Sequence, residues 1–259
     1  MTEFRGKPVF SGIAIGKIAI LKKDDQSVKR THVEDTAVEL ARVTEAKEKA
    51  LGQLKALYEK AVKEVGESGA MIFDVHQMML EDQDYLDSIT NMIETQNINA
   101  EYAVAVTGDN FAKMFAEMDD DYMKARSADV LDISKRIINN LAGTQDASIK
   151  TKEPVILLAD DLTPSETIQM DKSKILGFVT IHGSANSHTA ILARSMNLPS
   201  MVGTDVELLE EYHGKTAVVD GFAGEFLIDP PQELLQDMIS RKNGWLDELE
   251  GLKKLVGQD

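Results

Sequence analysis

The strands of this chain cannot all find partners among their sequence neighbours, and that fact constrains the fold more than any other. Residues 9–21, VFSGIAIGKIAIL, alternate small or β-branched apolar side chains with glycine and read as one or two short strands joined by a turn. The next strand pattern comes only at residue 154, after roughly 130 residues of helical periodicity. Two strands alone do not make a stable sheet. Residues 1–30 are therefore expected to pair with residues 144–230, giving a fold of α/β plus all-α type. It would consist of a discontinuous α/β domain (1–30 and 144–230), an inserted antiparallel four-helix bundle (31–143) and a C-terminal linker helix (231–259).

The insertion carries its own punctuation. Thr31 and Glu34 have the spacing of a capping box, so a helix is expected to start there. Leu51, Leu54, Tyr58, Ala61 and Val65 repeat at threes and fours and predict one buried stripe. Gly66 and Gly69 should break that helix. A second helix, with Ile72, Val75 and Met79 on one face, should pause near Asp82 and resume through Leu86, Ile89 and Ile93. Asn99 is a cap for a third, lined by Ala103, Thr107, Phe111, Met114 and Met118. Asp119-Asp120-Asp121 puts negative charge at the start of a fourth, which carries Val130, Ile133, Ile137 and Leu141 and ends at Gly143. Short connections between amphipathic helices predict the antiparallel bundle.

Beyond residue 154 the period changes again. PVILLAD reads as a strand covered on both faces. Thr163, Pro164 and Glu166 then supply an N-cap, a first-turn proline and a capping-box acid. KILGFVTI is the next strand, SHTAILARSMN the next helix, and TAVVDGFAGEFLID a hairpin. QELLQDMISRKNGWLDELEGLKKL is helical in pattern despite Gly244.

Composition narrows the function. With 259 residues and 43% hydrophobic content the chain can bury a sizeable core. The absence of cysteine excludes thiol chemistry and argues against a zinc site. A formal charge of −16 repels nucleic acid and anionic lipid and attracts a basic protein partner. No basic-then-apolar leader opens the sequence and no apolar run approaches a membrane span, so the cytosol is the expected location.

Two of the five histidines lie within HGSANSHTAILAR, residues 182–194, and His188 falls where a helix should begin. A helix start favours anions and disfavours an imidazolium, leaving a neutral ring with a nucleophilic lone pair. Nucleophile and anion site together point to phosphoryl chemistry. In that reading the backbone amides with the Ser187 and Thr189 hydroxyls hold the phosphate oxygens, and Gly183 allows close approach of the main chain. The plainer alternative is a capped, solvent-facing histidine. His182 and His188, six apart, fit no helical metal pair, and no metal site is expected. His76 reads first as a polar position on an amphipathic helix, and His32 and His213 as solvated. Met71, Met78 and Met79 read first as core filler, but Met71 and Met78 fall off their helix's apolar stripe, and exposed methionines can form adaptable contact surfaces.

These residues resemble a known family. GSANSHTAILARSMNLPSMVG (183–203) is similar to the phosphohistidine signature of the phosphoenolpyruvate-utilising enzymes. ADDLTPSET (159–167) and SGIAIGK (11–17) narrow the likeness to enzyme I of the bacterial sugar phosphotransferase system. FDVHQMMLED (73–82) and DDDYMKARSADVLDISKR (119–136) resemble that family's helical insertion. The resemblance implies that His188 is phosphorylated on Nε2 and that the Thr167 hydroxyl bonds the other ring nitrogen. It also implies that the insertion binds HPr, the histidine phosphocarrier protein, through Glu67, Met71, His76, Met78, Met79, Asp82, Asp84, Tyr85 and Arg126. Family members commonly carry Gly-Gly-Arg-Thr before Ser-His, where this chain has Gly183-Ser184-Ala185-Asn186, so one arginine ligand for phosphate is missing. Complete enzymes I continue into a barrel domain that binds phosphoenolpyruvate and magnesium and supports dimerisation. Without that domain the chain is expected to need no cofactor, to be monomeric and not to use phosphoenolpyruvate itself. The competing readings are a swivelling phosphohistidine domain of a dikinase or synthase, an enzyme I-like module serving a dihydroxyacetone kinase, and a carrier-binding regulatory module without turnover.

Overall fold

A computed structural model describes residues 1–22, 27–144, 151–185 and 187–256. The chain divides into two compact units. One comprises Met1–Lys23, Ile149–Leu162 and Met170–Asp259, and the other Asp24–Ser148 with Thr163–Gln169.

The first unit is built on one eight-stranded mixed sheet. Its strands are β1 (Thr2–Arg5), β2 (Lys7–Phe10), β3 (Ile13–Leu21), β4 (Val155–Ala159), β5 (Ile175–Thr180), β6 (Ser200–Val202), β7 (Thr216–Asp220) and β8 (Glu225–Ile228). In space they run β1-β8-β7-β3-β4-β5-β6-β2. β3, β4, β5 and β6 are mutually parallel, whereas β7 lies antiparallel to β3 and β2 to β6. The N-terminal strands thus pair across the helical insertion, β3 lying between β4 and β7. β4 is buried at every position, as its unbroken apolar run predicts. β1, which carries charged residues and no apolar run, gave no strand signal of its own and pairs with β8 at the sheet edge.

Period-2 alternation sorts the core. Ala14 and Ile18 of β3, Ala217 and Val219 of β7, and Phe226 and Ile228 of β8 join one cluster with Ile156, Leu158 and Val179. Ile13, Val218 and Leu227, on the opposite face, pack with Met238 of the long C-terminal helix Gln232–Val256.

The second unit contains α1 (Thr36–Leu80), α2 (Gln83–Gln96), α3 (Ala100–Ala116), α4 (Asp121–Ala142) and the five-residue α5 (Pro164–Ile168). Three expectations are corrected here. α1 starts at Asp35, not Thr31: the Asp35 carboxylate accepts from the amides of Ala37 and Val38. Thr31 is instead tied into extended pairing with residues 97–99, its amide donating to Asn99 Oδ1 at 2.8 Å while Val33 N donates to Asn97 O. The buried stripe of α1 is Val43, Ala46, Ala50, Leu54, Leu57 and Ala61, shifted around the helix so that Leu51, Tyr58 and Val65 are only half-buried. Finally, residues 163–169 were expected with the sheet and instead belong with the helices. Ser165 Oγ donates to Asp132 Oδ2 at 2.9 Å and Lys135 faces Glu166 at 3.9 Å.

At Gly66 (φ 81°, ψ 173°) the backbone leaves the helical region, so α1 is two helices joined across a kink, as the sequence predicts, in a conformation that side chains with a Cβ resist. Gly69 continues the helix and is buried. Asn99 occupies its predicted N-cap position, Asp82 caps α2 where the helical pattern pauses, Asp120 caps α4 within the acidic run, and Gly143 closes α4 in a left-handed conformation.

Candidate active site

Within the sheet unit, β4 and β5 are adjacent parallel strands, and the loops leaving their carboxyl ends carry Asp160, Asp161 and, among the described residues, 181–185 and 187. Ligands of open α/β sheets settle outside such strand ends. The second loop delivers the chain into α6 (His188–Ser195). Ser187 is the N-cap: its hydroxyl oxygen accepts from Ala190 N at 3.2 Å, and its carbonyl accepts from Ile191 N. His188 is therefore the first residue of the helix and half-buried, with no acidic residue in its own first turn.

The approach to His188 is braced from several sides. Gly183 has φ +108°, a value that strains any other residue, and a Cβ there would stand 3.4 Å from Asp161 Oδ1. Thr180 Oγ1 donates to the His182 carbonyl at 2.6 Å, and the His182 ring lies 3.0 Å from Asp160 Oδ1. Arg194, from the far end of α6, donates to the Ala185 carbonyl at 2.7 Å. That arginine was not singled out in the sequence, because a brace formed nine residues away has no local signature. Asn186, part of the departure from the family signature, lies outside the described residues.

Thr189 corrects one expectation. Its side chain is buried and its hydroxyl donates to the Leu162 carbonyl at 2.8 Å, tying α6 to the end of the β4 loop. That proton is committed, so the hydroxyl does not face outward as a phosphate donor. Among the described residues no group of three or more His, Cys, Asp or Glu is placed to hold a metal ion, and no helix is long and apolar enough to cross a membrane.

Within the helical unit, Thr163 opens α5 with a complete capping box, Glu166 N donating to Thr163 Oγ1 and Thr163 N to the Glu166 carboxylate. Thr167 is fully buried and its hydroxyl donates to the Thr163 carbonyl at 2.8 Å. An oxygen fixed in that way presents its lone pairs, and so suits an N–H donor.

The expected docking residues separate into two sets. Met71 and Met78 are exposed by 61% and 71%, and Glu67, Asp82 and Asp84 are also exposed. Asp82 additionally caps α2, accepting from Tyr85 N at 3.0 Å. Met79 and Arg126 are half-buried. His76 and Tyr85 are not on the surface at all, with 0% and 1% exposure, and cannot touch a partner as they stand. Tyr85 packs edge-on against Phe111 and bonds Ser134 Oγ at 2.7 Å. Burial pushes its phenol well above the ordinary value, with the Ser134 bond opposing. His76 Nε2 lies 3.1 Å from Asp129 Oδ1, which brings the turn of α4 that carries Arg126 alongside the Met71–Met79 segment. Arg126 bonds the hydroxyl of Tyr122 at 2.6 Å and its guanidinium lies 4.9 Å from that ring centroid. Tyr122, 59% exposed, was missed in the sequence, although its position four residues before Arg126 in a helix was a usable signal.

Known proteins share this fold. Sequence profiles described as "PEP-utilising enzyme, N-terminal" and "PEP-utilising enzyme, mobile domain" match residues 5–126 and 151–224. A solution NMR structure of an enzyme I protein superposes with a TM-score of 0.71 at 33% identity, covering 93% of this chain and 99% of that one. The chain belongs to the PEP-utilising enzymes. Within that family it is homologous to the enzyme I N-terminal domain. The phosphoenolpyruvate-protein phosphotransferase of Bacillus subtilis is 36% identical over all of this chain and 45% of its own length. That of Geobacillus stearothermophilus is 39% identical over 87% of this chain and 39% of its own. The chain thus spans less than half the length of these phosphotransferase relatives.

Proposed function

We propose that the chain exchanges a phosphoryl group reversibly between His188 Nε2 and the phosphohistidine of HPr, as the phosphotransfer half of an enzyme I serving sugar uptake. The observation that carries this reading is a half-buried histidine at the first position of α6, behind a glycine of positive φ, inside the segment matched to the mobile domain.

The step balances without an added reagent. The Nε2 lone pair of neutral His188 attacks phosphorus, the P–N bond to the HPr ring breaks, and its electron pair returns to that ring. His188 keeps its Nδ1 proton, for which Thr167 Oγ1 is the acceptor we carry over from the resemblance. Donation of the Thr167 hydroxyl to Thr163 O leaves that oxygen an acceptor and so favours the Nδ1–H tautomer that exposes Nε2. The main-chain amides at the start of α6, approached past Gly183 and Ser187, stabilise the transferring charge.

HPr would dock on the helical unit, which we read as an antiparallel four-helix bundle. Met71, Met78 and Met79 supply an apolar centre, while Glu67, Asp82 and Asp84 supply a carboxylate rim for a basic partner. Arg126 contributes through its stacked pair with Tyr122, and His76 and Tyr85 support the face from beneath. In this reading the chain takes its phosphate from phospho-HPr in the cytoplasm. The test is incubation with phospho-HPr followed by alkaline digestion. Phosphate on His188 is expected, and label on another residue, or none, refutes the proposal.

A further inference from the structure

A chain of buried polar groups runs through the helical unit from the α1 segment bearing the methionines to the turn bearing Thr167. His76 is 0% exposed, with Nε2 3.1 Å from Asp129 Oδ1 and Nδ1 3.8 Å from Asp132 Oδ2. Phe73 closes one side of the ring edge-on. Asp132, itself 6% exposed, accepts from Ser165 Oγ at 2.9 Å through the same Oδ2 that faces His76. Ser165 is 2% exposed and sits two residues before Thr167 in α5. Its carbonyl accepts from Gln169 Nε2 at 3.0 Å, so both its polar ends are engaged.

Packing alone does not call for this arrangement. Two carboxylates and an imidazole out of water are costly, and apolar side chains of similar volume would fill the space at lower cost. What the polar chain adds is direction: the Asp132 carboxylate accepts the Ser165 hydroxyl, while the His76 ring, held by its Nε2 contact with Asp129, faces the same carboxylate oxygen across 3.8 Å without a hydrogen bond to it. α5 has only five residues and little helical stability of its own, so its placement depends on such anchors. Ser165–Asp132 is the buried one; Lys135–Glu166, at 3.9 Å and with a half-exposed lysine, is the weaker.

We propose that His76, Asp132 and Ser165 form a positioning relay that fixes α5, and through it Thr167 Oγ1, relative to the docking segment Met71–Met79. This rests on the phosphotransfer reading above and deepens it. Ser165 and Asp132 are positioning residues acting through Thr167, and none of the three touches phosphate. Coupling follows from shared groups: a carrier that presses on Met78 and Met79 bears on the helix turn that holds His76, and so on the carboxylate that holds Ser165.

The experiment measures single-turnover transfer from phospho-HPr to the whole chain, HPr affinity by calorimetry, and the His188 tautomer by ring 15N shifts. An ångström of misplacement at a reacting centre costs about a hundredfold in rate, so partial release of α5 by Ser165→Ala is expected to slow transfer roughly tenfold. HPr affinity should stay within about twofold, a split that loss of fold would not give. The share of His188 in the Nδ1–H form should fall in parallel. In a Thr167→Ala background Ser165→Ala should add nothing, because its route to the reaction is gone. Asp132→Asn, nearly isosteric, should repeat the Ser165→Ala result. Equal transfer rates and tautomers in the Ser165→Ala and Asp132→Asn variants and the unmodified chain, or additive losses with Thr167→Ala, overturn the relay. Failure of the unmodified chain to transfer at all overturns instead the reading on which the relay rests.

Discussion

Two helix starts in this molecule solve the same electrostatic problem in opposite ways. At the start of α3, the Glu39 carboxylate reaches across from α1 and accepts the Ala100 amide at 2.7 Å. Glu39 is buried and held in turn by Arg42, which also pairs with Glu101 of the first turn. The anion that a helix start favours is thus built into the chain, and the end is closed. At the start of α6 the first turn holds no acidic residue, the cap is an uncharged serine, and a histidine stands half-buried at the first position. One end is a structural joint. On the phosphotransfer reading, the other receives a charge from outside.

If that contrast is right, substitutions at the two ends should fail in different assays. The largest effect is expected from His188→Gln, which keeps the size of a polar side chain but removes the nucleophile. Phosphorylation by phospho-HPr should vanish while the melting temperature stays within a degree or two of the unmodified value, read by scanning calorimetry. Residual transfer by this variant would break the comparison. Glu39→Ala is its mirror. Losing the cap and the partner of Arg42 should cost about 2 kcal/mol, and lower Tm by roughly 5 °C. At 20 °C, where the protein is still folded, transfer should be nearly unchanged. A large transfer defect there would mean that the joint also serves the chemistry.

How much of this contrast could be read from residue order depends on the distance over which each interaction acts. The α6 end is local: Ser187, His188 and the backbone that follows lie within four positions, so the helix start and its histidine were legible. The capping box of Thr163 and Glu166 and the strand run of residues 155–159 were legible for the same reason. The α3 end is not local, since Glu39 and Ala100 are 61 positions apart. Asn99 could be named as a cap, but its side chain makes no cap bond and instead holds Thr31. That same pairing is what defeated the Thr31 capping box, because a stretch that pairs with distant backbone is no longer available to open a helix. His76 shows the converse failure: its helix segment was recognisable, but whether the ring faces water or two aspartates of α4 depends on helix packing.

The acid response should also separate the two ends. Burial pushes the Glu101 carboxyl up, but its bond to Arg42, with help from its own backbone amide and Asn99, holds it below its ordinary value near 4.5. A depressed carboxylate contributes stability that is present above that value and lost as pH falls through the lowered one. Arg42 is shifted upward, first through its bond to Glu101, and stays charged throughout this range. The melting temperature should therefore decline below about pH 4.5, and Glu101→Gln should flatten that decline. An unaltered pH profile in the variant would remove Glu101 from the joint.

The smallest expected effect falls on Thr189, and it decides how the open end is built. Thr189 stands next to His188, and its hydroxyl was expected to hold phosphate; the structure turns that hydroxyl inward to Leu162 O. Thr189→Val keeps the branched shape, removes the donor and leaves a buried carbonyl without that partner, which should cost about 1 to 2 kcal/mol of stability. Transfer, measured on the folded protein, should slow by no more than a few-fold, because the main-chain amide at 189 is retained and only the tether of α6 to the β4 loop is loosened. A hundredfold loss of transfer with little loss of stability would restore the hydroxyl as a phosphate ligand. The open end would then rest on side chains as well as on the helix start, and its likeness to the closed end at Glu39 would be closer than the static geometry makes it.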